Sequence, residues 1–125
     1  DVRGKKIAVL GLTFKPNTDD MRDSPAIAVI QTLQDGGATF AAYDPEGMEN
    51  AKKLIEGIEY VAGPYEAIAD ADAIVIVTEW NQFRALDLPR AKGMMKSPVL
   101  VDLRNIYRPA EVAKHGFAYH GIGLN

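Results

Sequence analysis

The side chains best suited to chemistry in this sequence are cations. Lys15 and Arg22 share the stretch "GLTFKPNTDDMRDSP", residues 11–25, with Phe14 beside the lysine and Asp19, Asp20 and Asp23 interleaved. An ammonium and a guanidinium in one loop can hold a phosphate or carboxylate through charge-assisted hydrogen bonds. The same composition also describes a solvated loop whose charges balance one another. Asp19 and Asp20 carry oxygen donors for a metal or an acid–base pair, but no histidine stands nearby to complete a usual site. Tying down the loop or orienting Arg22 is therefore their expected role, and no metal site is expected.

Arg104 follows Asp102 and Leu103 in "VDLRN". Its fork suits ribose, phosphate or carboxylate oxygens, and an ion pair to Asp102 or Asp44 is the structural alternative. Trp80, the only tryptophan, lies in "TEWNQF" with Phe83. Lining a cleft, meeting a partner chain and anchoring the loop are all open to it, with anchoring or an interface the stronger readings. His115 and His120 do not have the spacing of a helical metal pair. There is no cysteine and no G-x-S-x-G elbow, so no nucleophile–base arrangement emerges.

These residues need elements to position them. Ile7 to Leu10, ending at Gly11, is a short unbroken apolar run, as in a strand buried on both faces. Ser24 caps and Pro25 opens a helix with Ala26, Val29, Ile30 and Leu33 on one stripe, stopped by Gly36 and Gly37. "ATFAAYD" is the next strand, followed by a helix from about Glu46 to Glu56 and a short strand "IEYV". A short helix over Tyr65–Ala69 begins near Pro64. "DAIVIVT" is the clearest strand. Residues 78–83 read as a connection, with a helical piece to about Met95 despite Pro89. "PVLVDLRN" is a strand, Pro109–His115 a short helix, and "GFAYHGIG" the last strand.

This alternation implies an α/β fold, a three-layer Rossmann-like domain with a mostly parallel sheet and helices on both faces. Ligands of such sheets bind outside the carboxyl ends of the strands. Those ends carry Thr13–Arg22, Asp44, Thr78–Asn81 and Asp102–Asn105. A dinucleotide fingerprint is nevertheless missing. Leu12, Thr13, Phe14, Lys15 and Pro16 follow Gly11, so the second and third glycines are absent. Asp44 ends the second strand, where a ribose-binding acid would sit, yet it lies well beyond the usual spacing of about 20 residues.

At 125 residues the chain fits one domain, residues 1–125. A formal charge of -3 gives no support to nucleic-acid binding. No apolar run is long enough for a membrane span, and the start is not that of a secretory signal. A chain that opens on Asp1 and enters a strand by about Lys5 reads as part of something longer.

Four segments together, "GKKIAVLGLTFKPNTDDMRDSPA", "YDP", "TEW" and "VDLRNIY", resemble the carboxy-terminal, nucleotide-sugar-binding domain of the UDP-glucose/GDP-mannose dehydrogenase family. The likeness runs through nearly the whole chain, and the loop with "DLRN" is closer to the UDP-glucose branch. The resemblance implies an NAD-dependent enzyme that oxidises a sugar 6-hydroxyl to a carboxylate in two hydride transfers. Its cofactor is bound mainly by an amino-terminal Rossmann domain, and its catalytic cysteine lies in a central dimerisation region.

Carried onto this sequence, the resemblance makes Phe14, Lys15 and Arg104 substrate-binding and Arg22 a contact to NAD across a cleft. Asp19, Asp102, Asn105 and Trp80 become supports. The implied partners are UDP-glucose or a related nucleotide sugar and the other domains of the same chain, in a cytoplasmic homodimer. Branches acting on UDP-N-acetyl sugars or GDP-mannose, a non-catalytic nucleotide-binding module and a self-contained NAD(P) reductase are the alternatives.

Overall fold

The computed structural model describes residues 2–121. Six strands, β1 (Lys6–Leu10), β2 (Thr39–Tyr43), β3 (Glu59–Tyr60), β4 (Ala73–Ile76), β5 (Val99–Asp102) and β6 (Ala118–Gly121), form one sheet in the order β3-β2-β1-β4-β5-β6. Every pairing is parallel. The order reverses between β1 and β4, so the crevice where ligands settle in such sheets opens between their carboxyl ends.

The apolar runs make the sheet because their side chains alternate onto two covered faces. Ala8 and Leu10 of β1 join Ile74, Ile76 and Leu100 in one core, closed by α3 (Pro64–Ile68), α4 (Asn81–Arg84), α5 (Leu88–Met94) and α6 (Pro109–Lys114). Ile7 and Val9 join Phe40, Ala42, Val75 and Val77 in the other, under α1 (Pro25–Asp35) and α2 (Met48–Lys52). The expected three layers are therefore present.

Several boundaries differ from the sequence expectation. Helix α1 starts as expected: the Ser24 hydroxyl accepts the Ala26 amide at 3.2 Å, with Pro25 in the first turn. Helix α2 is shorter than the expected span from Glu46 to Glu56. The Glu46 and Gly47 amides turn back to Asp44, which leaves them outside the helix. Residues 81–84 are helical rather than a connection, and the piece after them is a separate helix. Pro89 sits in the first turn of α5, where its missing N–H costs nothing, and Asp87 caps that turn through the Arg90 amide at 3.1 Å. The last two residues of "GFAYHGIG" lie outside the described residues.

Candidate functional site

Parallel register brings the strand exits into one row. Leu10 pairs with Tyr43 on one side and Ile76 on the other, and Ile76 pairs with Asp102. Asp44, the loop from Gly11, Thr78–Trp80 and Leu103–Asn105 therefore all emerge on the same edge.

At the centre is Asp44, fully buried. Its Oδ2 accepts the amides of Leu12 at 2.7 Å and Thr13 at 3.1 Å, and the Trp80 indole Nε1 at 3.2 Å. Its Oδ1 accepts the amides of Glu46 at 2.9 Å and Gly47 at 2.7 Å. The single proton of the Thr13 hydroxyl goes to the Lys15 carbonyl at 2.9 Å rather than to Asp44 at 3.3 Å. The first amides after β1 would meet a pyrophosphate in a dinucleotide domain. Here they are committed to an internal carboxylate. Asp44 is thus the keystone of the loop and not a ribose-binding acid.

Gly11 makes that turn possible. Its φ is +96°, and a Cβ there would lie 2.5 Å from Thr78 Cβ. The Thr78 hydroxyl donates to the Thr13 carbonyl at 2.6 Å, so β4 grips the loop at its root. The rest of the loop is held by its own polar groups rather than left to solvent. The Phe14 amide donates to the Asp20 carbonyl at 3.2 Å, and the Asp20 amide to the Thr18 hydroxyl at 3.1 Å. Ser24 donates its hydroxyl to the Leu12 carbonyl, and Met21 inserts into the core under α1 and α2. Asn17 and Asp23 take the left-handed conformation at φ 64° and 59°, which their short side chains tolerate.

Of the expected pair Asp19 and Asp20, only Asp20 orients Arg22. Its carboxylate accepts Arg22 Nε at 3.0 Å, Nη2 at 2.9 Å and the backbone amide at 2.9 Å. These bonds from Arg22, side chain first and backbone second, hold the Asp20 carboxyl down at about 2. The carboxylate in turn raises the Arg22 guanidinium above its ordinary value. The Arg22 side chain is 88% exposed, an outward-facing cation. The Asp19 carbonyl instead accepts Asn50 Nδ2 at 3.0 Å, which ties the loop to α2. Between the loop and α2 lies an open cleft of about 680 Å³ lined by Asp19, Arg22, Ile27, Asn50, Lys53 and Leu54 among others.

Arg104 lies on the other flank. Its Nη2 donates to the Phe14 carbonyl at 2.9 Å, joining the β5 exit to the loop. Its ion-pair partner is Glu79, with Oε1 at 3.2 Å from Nε and 3.1 Å from Nη2. Neither Asp102 nor Asp44 pairs with the guanidinium, because both carboxylates are consumed locally. Asp102 accepts the amides of Arg104 and Tyr107, each at 3.1 Å, and the Tyr119 hydroxyl at 2.8 Å. Burial, with the Asp102 charge adding to it, raises the Tyr107 and Tyr119 phenols above their ordinary range. Tyr107 donates to the Phe83 carbonyl, so the turn carrying Arg104 is stapled to α4. Asn105 occupies that turn at φ 54°.

Phe14 is 39% exposed, an uncovered aromatic ring at the edge of a polar loop. Lys15 next to it is also exposed. Trp80 is buried to 7% exposure and packs in the core, so it anchors. Its remaining edge lines a second cleft of about 340 Å³ with Asn17, Thr18, Asp19 and Glu46. Sequence reasoning missed Glu79, although an acid just beyond β4 and an arginine just beyond the neighbouring β5 is a readable signal. Among the described residues no group of histidine, aspartate or glutamate could hold a metal. No helix among them is long and apolar enough to cross a membrane.

Known proteins share this arrangement of sequence and fold. Residues 8–109 match the model of the UDP-glucose/GDP-mannose dehydrogenase family, UDP binding domain. A UDP-glucose 6-dehydrogenase of Rhizobium meliloti (strain 1021) is 73% identical over 123 residues, covering 98% of this chain and 28% of that protein. Among solved structures, an NDP-N-acetyl-D-galactosaminuronic acid dehydrogenase from Methanosarcina mazei Go1 superposes with a TM-score of 0.86 at 29% identity, over 99% of this chain and 26% of that one. A UDP-glucose dehydrogenase from Pyrobaculum islandicum gives 0.78 at 32% identity, over 99% and 26%. The chain spans only about a quarter of each of these relatives. Its sequence and fold make it a member of the UDP-glucose/GDP-mannose dehydrogenase family, whose nucleotide-binding domain it represents.

Proposed function

We propose that residues 1–125 form the single carboxy-terminal nucleotide-sugar-binding domain of an NAD-dependent UDP-glucose 6-dehydrogenase. The intact protein oxidises UDP-glucose to UDP-glucuronate with two NAD and works as a cytoplasmic homodimer. Phe14, Lys15 and Arg104 contact the nucleotide sugar, with Asp19, Asp102, Asn105 and Trp80 supporting them. The observation that carries this reading is the 2.9 Å bond from Arg104 to the Phe14 carbonyl. It draws an arginine from one strand exit onto the loop that bears the exposed aromatic ring and Lys15.

Lys15 and Arg104 are the cations that grip the anionic half of the substrate. Binding energy from that remote half then orients carbon 6 for reaction. This chain has no cysteine, so a covalent thiol step belongs to another part of the protein. The residues present fit one contact to NAD and no self-contained site. Arg22 is exposed and cationic, whereas the Leu12 and Thr13 amides are committed to Asp44. When bound, NAD supplies the hydride acceptor, and the part of Arg22 is to offer its phosphates a positive charge.

The test is turnover by the intact dehydrogenase with NAD and a panel of UDP-glucose, UDP-N-acetylglucosamine and GDP-mannose. The highest kcat/KM is expected for UDP-glucose. The close superposition on an N-acetyl-sugar dehydrogenase supports a second reading, and highest turnover with the UDP-N-acetyl sugar would replace the first. Absence of turnover with all three would overturn both.

A further inference from the structure

We infer that Glu79 is a positioning residue of the nucleotide-sugar site, holding the Arg104 guanidinium in its working orientation across the strand exits. The inference rests on the proposed contact between Arg104 and the nucleotide sugar.

The geometry starts from the row of strand ends. Ile76 stands beside Leu10 on one side and Asp102 on the other. Residues shortly beyond these three positions therefore project from neighbouring strands over one edge: Phe14 from β1, Glu79 from β4, Arg104 from β5. Arg104 must cross above β4 to reach the Phe14 carbonyl. A long side chain left alone would spread over many rotamers, and fixing it costs entropy at the moment of binding. Glu79 stands under the crossing and removes that freedom beforehand.

The hydrogen bonds show how. A single oxygen, Glu79 Oε1, accepts both Nε at 3.2 Å and Nη2 at 3.1 Å, while Nη2 also reaches the Phe14 carbonyl at 2.9 Å. The side edge of the guanidinium is thereby fully engaged. Nη1 has no acceptor among the described residues and is left to meet a ligand oxygen. The Glu79 and Arg104 side chains are 32% and 27% exposed, more enclosed than the surface pair of Arg22 and Asp20. Glu79 makes no other side-chain bond among the described residues, and its backbone carbonyl is separately held by Arg84 Nη1 at 3.4 Å. Removing the carboxylate consequently frees Arg104 without dismantling the β4 exit. Its negative charge also opposes an incoming anion, but that charge is already paired with the Arg104 guanidinium, so what Glu79 adds is mainly orientation.

The test is steady-state kinetics of the intact dehydrogenase carrying Glu79→Ala, Glu79→Gln, Arg104→Ala and Glu79→Ala with Arg104→Ala, each with its Tm. Glu79→Ala is expected to raise KM for the nucleotide sugar about five- to tenfold with kcat and Tm nearly unchanged. Glu79→Gln keeps an acceptor oxygen and is expected to return KM to within about twofold of wild type. In the Arg104→Ala background, Glu79→Ala should add nothing further. A KM unchanged or lowered by Glu79→Ala would overturn the inference, as would an equal penalty with and without Arg104 or a loss confined to Tm. A wild-type protein that turns over no nucleotide sugar would instead overturn the functional reading beneath it, and the inference with it.

Discussion

Asp44 Oδ2 lies 3.2 Å from the indole Nε1 of Trp80, and the same oxygen accepts the amides of Leu12 and Thr13. One carboxylate therefore links the exits of β1, β2 and β4. Replacing Asp44 with Ala strands several buried N–H donors at once. We expect a loss of about 3–5 kcal/mol, measured by urea denaturation, with a red shift of Trp80 emission as water enters to replace the lost carboxylate beside the indole. Asp44→Asn restores only part of the loss, because its NH₂ group faces other donors. A variant of wild-type stability would mean that the keystone role is misassigned.

Gly11 and Gly93 make opposite predictions. Gly11→Ala places a methyl group 2.5 Å from Thr78 Cβ at a φ of +96°. It should destabilise by about 2–4 kcal/mol through clash and backbone strain together. Gly93 sits within α5, and a methyl group there would have no neighbour within 4 Å. Gly93→Ala should stabilise by about 0.5–1 kcal/mol through better helix propensity. Thermal melts of the two variants decide both.

The cations at positions 15 and 22 should separate kinetically in the intact enzyme. Lys15→Ala is expected to lower kcat/KM for the nucleotide sugar about ten- to a hundredfold, the loss of one charge-assisted contact. Arg22→Ala is expected to raise KM for NAD about tenfold and leave nucleotide-sugar binding nearly intact. If Lys15→Ala left kcat/KM unchanged, or if the two effects were exchanged, the assignments would have to be abandoned.

Asp20 offers a pH prediction. Its carboxyl is lowered from 3.8 to about 2 by the Arg22 bonds, so its pairing is present above pH 3.8 and lost as the pH falls through about 2. The Asp20 carboxyl carbon, followed by NMR, should titrate with a midpoint near 2. In Arg22→Ala the midpoint should return toward 3.8. Because the pair is exposed, the loop rather than global stability should register the change. A wild-type midpoint near 3.8 would show that the pair does not persist in solution.

What the residues determined by themselves was largely local. Apolar runs of strand length between capped helices specified a parallel α/β sheet. Ser24 with Pro25 specified where α1 begins, and the missing glycines after Gly11 argued against a dinucleotide turn. The local pair of Asp20 and Arg22 was within reach of the sequence, but tertiary structure alone decided which distant charges meet. Asp44 looked like a ribose acid but is spent on the amides of the loop after β1 and of its own turn and on the Trp80 indole, because the turn after β1 must satisfy its buried N–H groups internally. Arg104 chose Glu79 over Asp102 although Asp102 is two residues away. Asp102 is consumed by its own turn, while parallel register sets Glu79 beside the guanidinium from a strand far off in sequence. Separation along the chain does not reveal such pairs; strand order and register create them.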